Sequence, residues 1–355
     1  MISLRAMMMR GGTSKGVYLL KSDLDGTGLD PNVLLPAIMG SPDRRQIDGL
    51  GGGSSTTSKV AIVGPSSRPD CDIDYLFAQV DVATMRVDWT PTCGNLLTGV
   101  GPFAIERGMV AAADRHTVMR VYLVNTGATV IVSVPTPGGC VSYEGGWEIS
   151  GVPGRAAPID TVFSDFCGGR TGTLFPTGKP VDHVGGVTIT AIDAGVCAVI
   201  AQAGELGVAG DESPQQLNND RAMLERLESL RRRAALAMGL GDVRGCVLPK
   251  VMLVSKSGRG DIRSRYFVPD SCHPTHAVSG AICLATAATV RETVVARLLA
   301  RPFQAGPIAI EHPAGSMSIE ITRPGAGLGL WAAARSTARK LFDGYVFADL
   351  SRKAG

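Results

Sequence analysis

Aromatic side chains make up only 5% of this chain and charged ones only 19%. Few aromatics leave few platforms on which bases could stack. The formal charge is +3 over 355 residues, with no block of Lys or Arg. That excludes the basic footprint of a nucleic-acid binder. Long hydrophobic runs are missing too. The N-terminal MISLRAMMMRGGTSKG is interrupted too soon for a signal peptide or membrane span. The Ala-rich stretch at 275–290 carries Thr275, His276 and Ser279 and ends at Arg291, which reads as enclosed helix, not membrane. Eight cysteines (71, 93, 140, 167, 197, 246, 272 and 283) show no paired spacing, so reduced thiols in a cytoplasmic protein are expected.

What the chain has in abundance is glycine, 45 residues of it, and short β runs broken by Gly, Pro, Asn and Asp. Strands are expected at Val60–Val63, Ile73–Val82, Val118–Val124, Thr129–Val134, Val187–Asp193, Ala198–Ala203, Val251–Val254, Ile308–Glu311 and Met317–Thr322. Pro214–Met238 reads as one amphipathic helix. Leu96–Arg107 and His276–Val290 are apolar on nearly every face, and such helices must be enclosed by other structure. The expected fold is α+β: two β-rich lobes, each a barrel-like sheet wrapped round a central helix.

Internal echoes point to duplication. CGNLLTGVGPFAIERG at 93 matches PTHAVSGAICLATAAT at 274, VYLVNTGATVIVSVP at 121 matches IAIEHPAGSMSIEIT at 308, and RGGTSKGVYLLKSDL at 10 matches IDAGVCAVIAQAGEL at 192. The offsets are 181, 187–188 and 182, in one order. Expected boundaries are a first lobe over 1–183, a second over 184–340, and a segment 341–355 returning to the first. The ligand site is expected in the cleft between lobes.

Three motifs offer chemistry. GGGSSTTSKV at 51–60 nearly spells a phosphate loop, but the Gly before Lys59 and the hydroxyl after it are absent. Its N–H and O–H donors suit carboxylates instead. Thr92-Cys93-Gly94-Asn95 places Cys93 at a helix start, where free N–H groups stabilise a thiolate. MRGGTSKG gathers Arg10, Ser14 and Lys15 in another donor-rich turn. Bland alternatives stand beside each: a solvated lysine, a small buried thiol, an ordinary hairpin. SCHPTH brings Cys272, His273 and His276 together, but structural zinc needs a second pair of ligands and none appears. A polar helix start is expected there. No nucleophile elbow is present.

MRGGTSKGVYL, MGSPDRRQIDGLGG, TSKVAIV, DIDYLFAQV, CGNLLTGVGPFAIERG, GVPGRAAP and ARKLFDGYV together resemble the PrpF-type isomerases, over residues 9 to about 346. The resemblance implies a diaminopimelate epimerase-like fold and proton transfers on di- and tricarboxylates without cofactor or metal. It puts the catalytic lysine on Lys59 and the catalytic cysteine on Cys93. Carboxylate recognition is assigned to Arg10, Thr13, Ser14, Ser54, Ser55, Asn95, Ser279 and Gly280. The chain departs from the family pattern at Thr92, where Asn is usual, and around SCHPTHAVSGA. The implied reaction is a 1,3-allylic or keto–enol proton shift in an unsaturated tricarboxylate, 4-oxalomesaconate first, in aromatic-acid breakdown. Double-bond or cis–trans isomerisation of an aconitate-type acid such as 2-methylaconitate is the alternative substrate reading, and a homodimer the expected assembly.

Two other classes compete. A non-catalytic carboxylate-binding protein would keep the donor loops without needing Lys59 and Cys93. A thiol hydrolase would need a base such as His276 beside Cys93. For an isomerase, one proton must leave an acidic carbon and another must arrive two atoms along. Between a free amine and a free thiol in water, a shared proton prefers the amine by about 2.6 kcal/mol. A dry surrounding works against that preference and a helix start works with it.

Overall fold

The computed structural model describes residues 2–268, 270–323 and 329–350. By its contacts the chain forms two compact units, Met1–Val162 with Arg335–Gly355, and Phe163–Ala334. Residues 351–355 of the C-terminal segment lie outside the described residues.

The first unit contains β1 (Ile2–Gly11), β2 (Ser14–Leu20), α1 (Lys21–Asp25), α2 (Pro31–Met39), β3 (Lys59–Pro65), β4 (Ile73–Val80) and β5 (Val87–Asp88). It continues with α3 (Gly94–Glu106), β6 (Arg115–Leu123), β7 (Thr129–Thr136) and β8 (Pro158–Ser164). The second contains β9 (Asp182–Val184), β10 (Val187–Asp193), β11 (Cys197–Gln202), α4 (Pro214–Asn219), α5 (Arg221–Ala237), β12 (Lys250–Ser255) and β13 (Ile262–Phe267). Then come α6 (Val278–Ala288), α7 (Val294–Leu298), β14 (Pro307–His312) and β15 (Gly315–Thr322). The last strand, β16 (Trp331–Ala348), gives its first four residues to the second unit and the rest to the first.

In the first unit the strand order is β1-β2-β3-β4-β6-β7-β8-β16, and β16 also pairs with β1, so the sheet closes on itself. Helix α3 packs against β1, β2, β3, β4 and β7. Its residues Asn95 to Ala104 are buried without interruption, which is why the sequence shows no polar face. Burying Leu96, Leu97, Val100 and Phe103 contributes about 1.5–3 kcal/mol each. On the other face of β1–β4, α2 buries Leu34, Leu35, Ile38 and Met39 against Met8, Val17, Val60, Ile62 and Ala78. Strands covered on both faces lose their alternation. The run Met7-Met8-Met9 in β1 is one result, with all three side chains buried.

The second unit repeats the order of pairings. β1–β2 is antiparallel, β2–β3 parallel, β3–β4 antiparallel, β4–β6 parallel and β6–β7 antiparallel. β10–β11, β11–β12, β12–β13, β13–β14 and β14–β15 follow the same alternation. Both parallel crossovers of each series carry helices, as parallel connections require. Here α6 packs against β10, β14 and β15, and α5 covers the opposite side of β11 and β12 with Met223, Leu227, Leu230 and Ala234.

Three sequence expectations need correction. Pro214–Met238 is two helices, because Asp220 leaves the helical region (φ −84°, ψ 85°) and caps the second through Met223 N–H. The apolar helix at 276–290 starts at Val278, after His276. Strands β1, β2, β5, β8, β9, β13 and β16 fall where no strand was expected. No helix among the described residues is long and apolar enough to cross a membrane.

Candidate active site

Strand β4 carries the site on one face. Its alternate residues Tyr75, Phe77 and Gln79 point the same way, with about 7 Å between successive positions. The Tyr75 hydroxyl donates to the Cys93 carbonyl at 3.2 Å. The Phe77 ring centroid lies 4.9 Å from Lys59 Nζ. Gln79 is directly opposite Lys59 in the β3–β4 register and accepts from Lys59 Nζ at 2.7 Å. Lys59 and Cys93, 34 positions apart in sequence, are thus both tied to one strand face, Lys59 through Gln79 and Phe77 and Cys93 through its carbonyl to Tyr75.

Cys93 is the N-cap of α3, with extended backbone (φ −130°, ψ 101°), and its side chain makes no capping bond. It is 9% exposed. No acidic residue occupies the first turn of α3, so no carboxylate there competes for the helix's positive end. Burial, with Cys93 as the next contributor, holds both Tyr18 and Tyr75 phenols well above their ordinary value. Both therefore keep their protons and serve as donors, Tyr18 to Leu96 O at 2.5 Å.

The turn between β1 and β2 meets the start of α3. Asn95 Nδ2 donates to Thr13 Oγ1 at 3.2 Å and to Ser14 Oγ at 3.4 Å. Gly11 and Gly12 lie so close to Asn95 that a Cβ on either would overlap its oxygens. A Cβ on Gly16 would stand 2.7 Å from Lys59 O and 2.8 Å from Leu96 Cδ2. The glycines of MRGGTSKG therefore let three segments converge.

The loop before Lys59 hangs on Gln46, a buried residue with φ +50°. Gln46 Nε2 donates to Ser58 Oγ at 2.7 Å and Ser41 Oγ at 3.1 Å, and its Oε1 accepts from Gly53 N–H at 3.0 Å. Gln79 Nε2 grips the same loop at Ser55 O (3.1 Å) and Ser58 O (2.8 Å).

Of the expected site residues, Lys59, Cys93, Thr13, Ser14 and Asn95 form this assembly. Ser54 and Ser55 occupy the exposed turn ahead of Lys59, with the Ser54 hydroxyl tied to Thr56 and Thr57. The Arg10 guanidinium turns to Gly12 O and to Thr337. Ser279 and Gly280 open α6 in the second unit, where a Cβ on Gly280 would meet the Tyr266 ring at 2.5 Å. Sequence reasoning missed Tyr75, Phe77 and Gln79, whose only signal was strand alternation. It also missed Thr92 as a donor: its Oγ1 is buried beside Cys93 and makes no hydrogen bond.

The histidines before α6 are buried and hydrogen-bonded, His273 accepting from Thr275 N–H. His276 Nδ1 faces Ala277 O at 3.0 Å and so donates, while Nε2 takes the Ser264 hydroxyl at 3.1 Å. Burial pushes its imidazole down to about 3. With both nitrogens occupied, His276 does not serve as the base that a thiol hydrolase would need. Among the described residues no group of three or more His, Cys, Asp or Glu is placed to hold a metal ion.

The family model for "PrpF protein" matches residues 1–349. The chain is 45% identical over 343 residues to "Putative isomerase YbhH" of Escherichia coli strain K12, covering 96% of this chain and 98% of that one. It is 45% identical over 342 residues to "4-oxalomesaconate tautomerase" of Pseudomonas putida, covering 96% and 94%. Among solved structures, methylitaconate-delta-isomerase superposes with a TM-score of 0.82 at 32% identity, over 99% of this chain and 96% of that one. A hydroxyproline epimerase from Agrobacterium vitis matches at TM-score 0.57 and 12% identity, over 97% and 91%, a likeness of fold alone.

Proposed function

The chain belongs to the PrpF protein family, and we propose that it is an isomerase moving a proton by a 1,3-shift in 4-oxalomesaconate, without cofactor or metal. The observation that carries this reading is the shared anchoring of Lys59 and Cys93 on β4, through Gln79, Phe77 and Tyr75. An amine and a thiol from segments tied to one strand face can bracket the carbons of an allylic system. The relative named as an oxalomesaconate tautomerase favours that acid over a methylated aconitate.

In the forward direction Lys59 removes the proton from the carbon beside the conjugated carbonyl. The electron pair moves into the carbonyl as a dienolate. Cys93 then gives its proton to the carbon two atoms away, leaving ammonium and thiolate. Protons exchanged with solvent reset the pair. The open end of α3 stabilises the thiolate, and N–H and O–H donors stabilise the dienolate and the carboxylates. Those donors are Thr13, Ser14, Ser54, Ser55, Thr92 and Asn95, with Arg10 as a further carboxylate holder.

The test is proton exchange. A panel of unsaturated tricarboxylates is incubated with the protein in heavy water, and deuterium incorporation is located by NMR. 4-Oxalomesaconate should take up carbon-bound deuterium with the wild type and not with Lys59→Met. Unchanged exchange in that variant would remove lysine from the mechanism. A protein that binds these acids without exchange would instead be a carboxylate carrier.

A further inference from the structure

Arg10 and Arg339 lie directly opposite each other in the antiparallel pairing of β1 with β16. Like charges at facing positions destabilise a sheet. The acidic side chains nearby do not relieve the pair. Glu106 accepts from the Tyr143 hydroxyl at 2.9 Å and from Lys340 Nζ at 2.5 Å. Asp343 is held by Arg107 at 2.7 Å, Asp160 by Arg335 at 2.6 Å, and Glu148 by Arg155 at 2.6 Å. Among the described residues neither Arg10 nor Arg339 forms an ion pair.

Together with Tyr143, Val152, Gly154, Thr337 and Arg155, the last paired with Glu148, Arg10 and Arg339 line a cavity of about 40 Å³. That is slightly more than the roughly 30 Å³ a water molecule takes in the liquid, so the space fits one small polar group. Arg10 is fixed there by bonds from Nη1 to Gly12 O (3.0 Å), Thr337 O (2.9 Å) and Thr337 Oγ1 (3.0 Å). Its guanidinium is held below the usual arginine value by burial first and by Arg339 second. A cation both desolvated and repelled is the electrostatic counterpart of an anion site.

We propose that this cavity binds a single carboxylate group between the Arg10 and Arg339 forks. Two planar guanidinium groups match the two oxygens of a carboxylate, and its charge removes the repulsion across the β1–β16 pair. The presence of an anion rests on the arginine pair alone. Its identity as a carboxylate rests on the polycarboxylate reading above.

Malonate is the probe, and the readout is phenylglyoxal modification of Arg339, resolved by mass spectrometry. Saturating malonate is expected to slow labelling of Arg339 about tenfold, the worth of one charge-assisted bond. Exposed Arg44 should keep its rate. The measurement is repeated in Lys59→Met, so that failure of the isomerase reading and failure of this site are read separately. An Arg339 rate unmoved by malonate in both proteins would overturn the proposal. Where protection is found, Arg339→Gln identifies the source. A KM for the tricarboxylate raised about tenfold marks a substrate carboxylate, and an unchanged KM marks a free anion. Either result keeps the site.

Discussion

Gln79 accepts a hydrogen bond from Lys59 Nζ at 2.7 Å while its own amide nitrogen holds Ser55 O and Ser58 O at 3.1 and 2.8 Å. One side chain thus fixes both the amine and the loop that delivers it. Gln79→Leu should lower kcat about 10- to 100-fold with little change in KM, because misplacing a reacting group by about 1 Å costs that much. Gln79→Glu places a carboxylate against the ammonium and should move the pH–rate profile to higher pH. Steady-state rates across pH check both, and a wild-type kcat in Gln79→Leu would show that the contact is incidental.

Gly12 combines φ +51° with a Cβ direction that overlaps Asn95 Oδ1. Gly12→Ala should therefore displace Asn95 from Thr13 and Ser14 and raise KM for the acid about tenfold. Gly108→Ala, at φ +73° with open space around it, is the control for backbone strain alone. It should lose about 1–2 kcal/mol of stability and leave KM where it was. Equal KM effects in the two variants would argue against a role for Asn95.

Gln46→Ala removes a buried amide that serves Ser41, Ser58 and Gly53 at once. Each partner left without its bond costs about 1–3 kcal/mol when buried. Urea unfolding should show a loss of about 2–5 kcal/mol, and the 41–58 segment should exchange its amide hydrogens faster. A loss below about 1 kcal/mol would mean that water replaces the side chain.

Two imidazoles in the second unit make it sensitive to acid. Burial pushes His276 down to about 3 and His312 to about 4, while in the unfolded chain each keeps its ordinary value near 6.5. The unfolded chain therefore binds more protons between these limits. The contribution of the neutral rings is complete above about pH 6.5 and is lost as pH falls toward 4 and then 3. Each group should cost about 1.4 kcal/mol per pH unit within its window. Denaturant midpoints measured from pH 7.5 to 5 check the slope, and His312→Gln should roughly halve it. A flat profile would place both rings in contact with solvent.

The expected strands that matched the structure include both those with one polar face, such as β7, whose burial alternates residue by residue, and short β-branched apolar runs buried throughout, such as β3 and β11. Two of those passed over show why. β1 is buried on both faces and reads as an undivided apolar run through Met7, Met8 and Met9. β16 runs through Arg335, Arg339, Lys340 and Asp343, whose charges conceal an 18-residue strand. The break at Asp220 was hidden because the apolar spacing continues through it; only the side chain's bond to Met223 N–H reveals a new cap.

By itself the sequence determined the α+β class, the two enclosed helices and the donor-rich segments around Lys59, Cys93 and Asn95. Those features follow from local apolar periodicity, glycine placement and the chemistry of single side chains. Tertiary structure alone decided that Gln79 and Phe77 meet the Lys59 amine and Tyr75 the Cys93 carbonyl, that Asn95 closes on Thr13 and Ser14, and that Arg10 faces Arg339. Each of these depends on strand register, and register is set by packing between segments far apart in the chain.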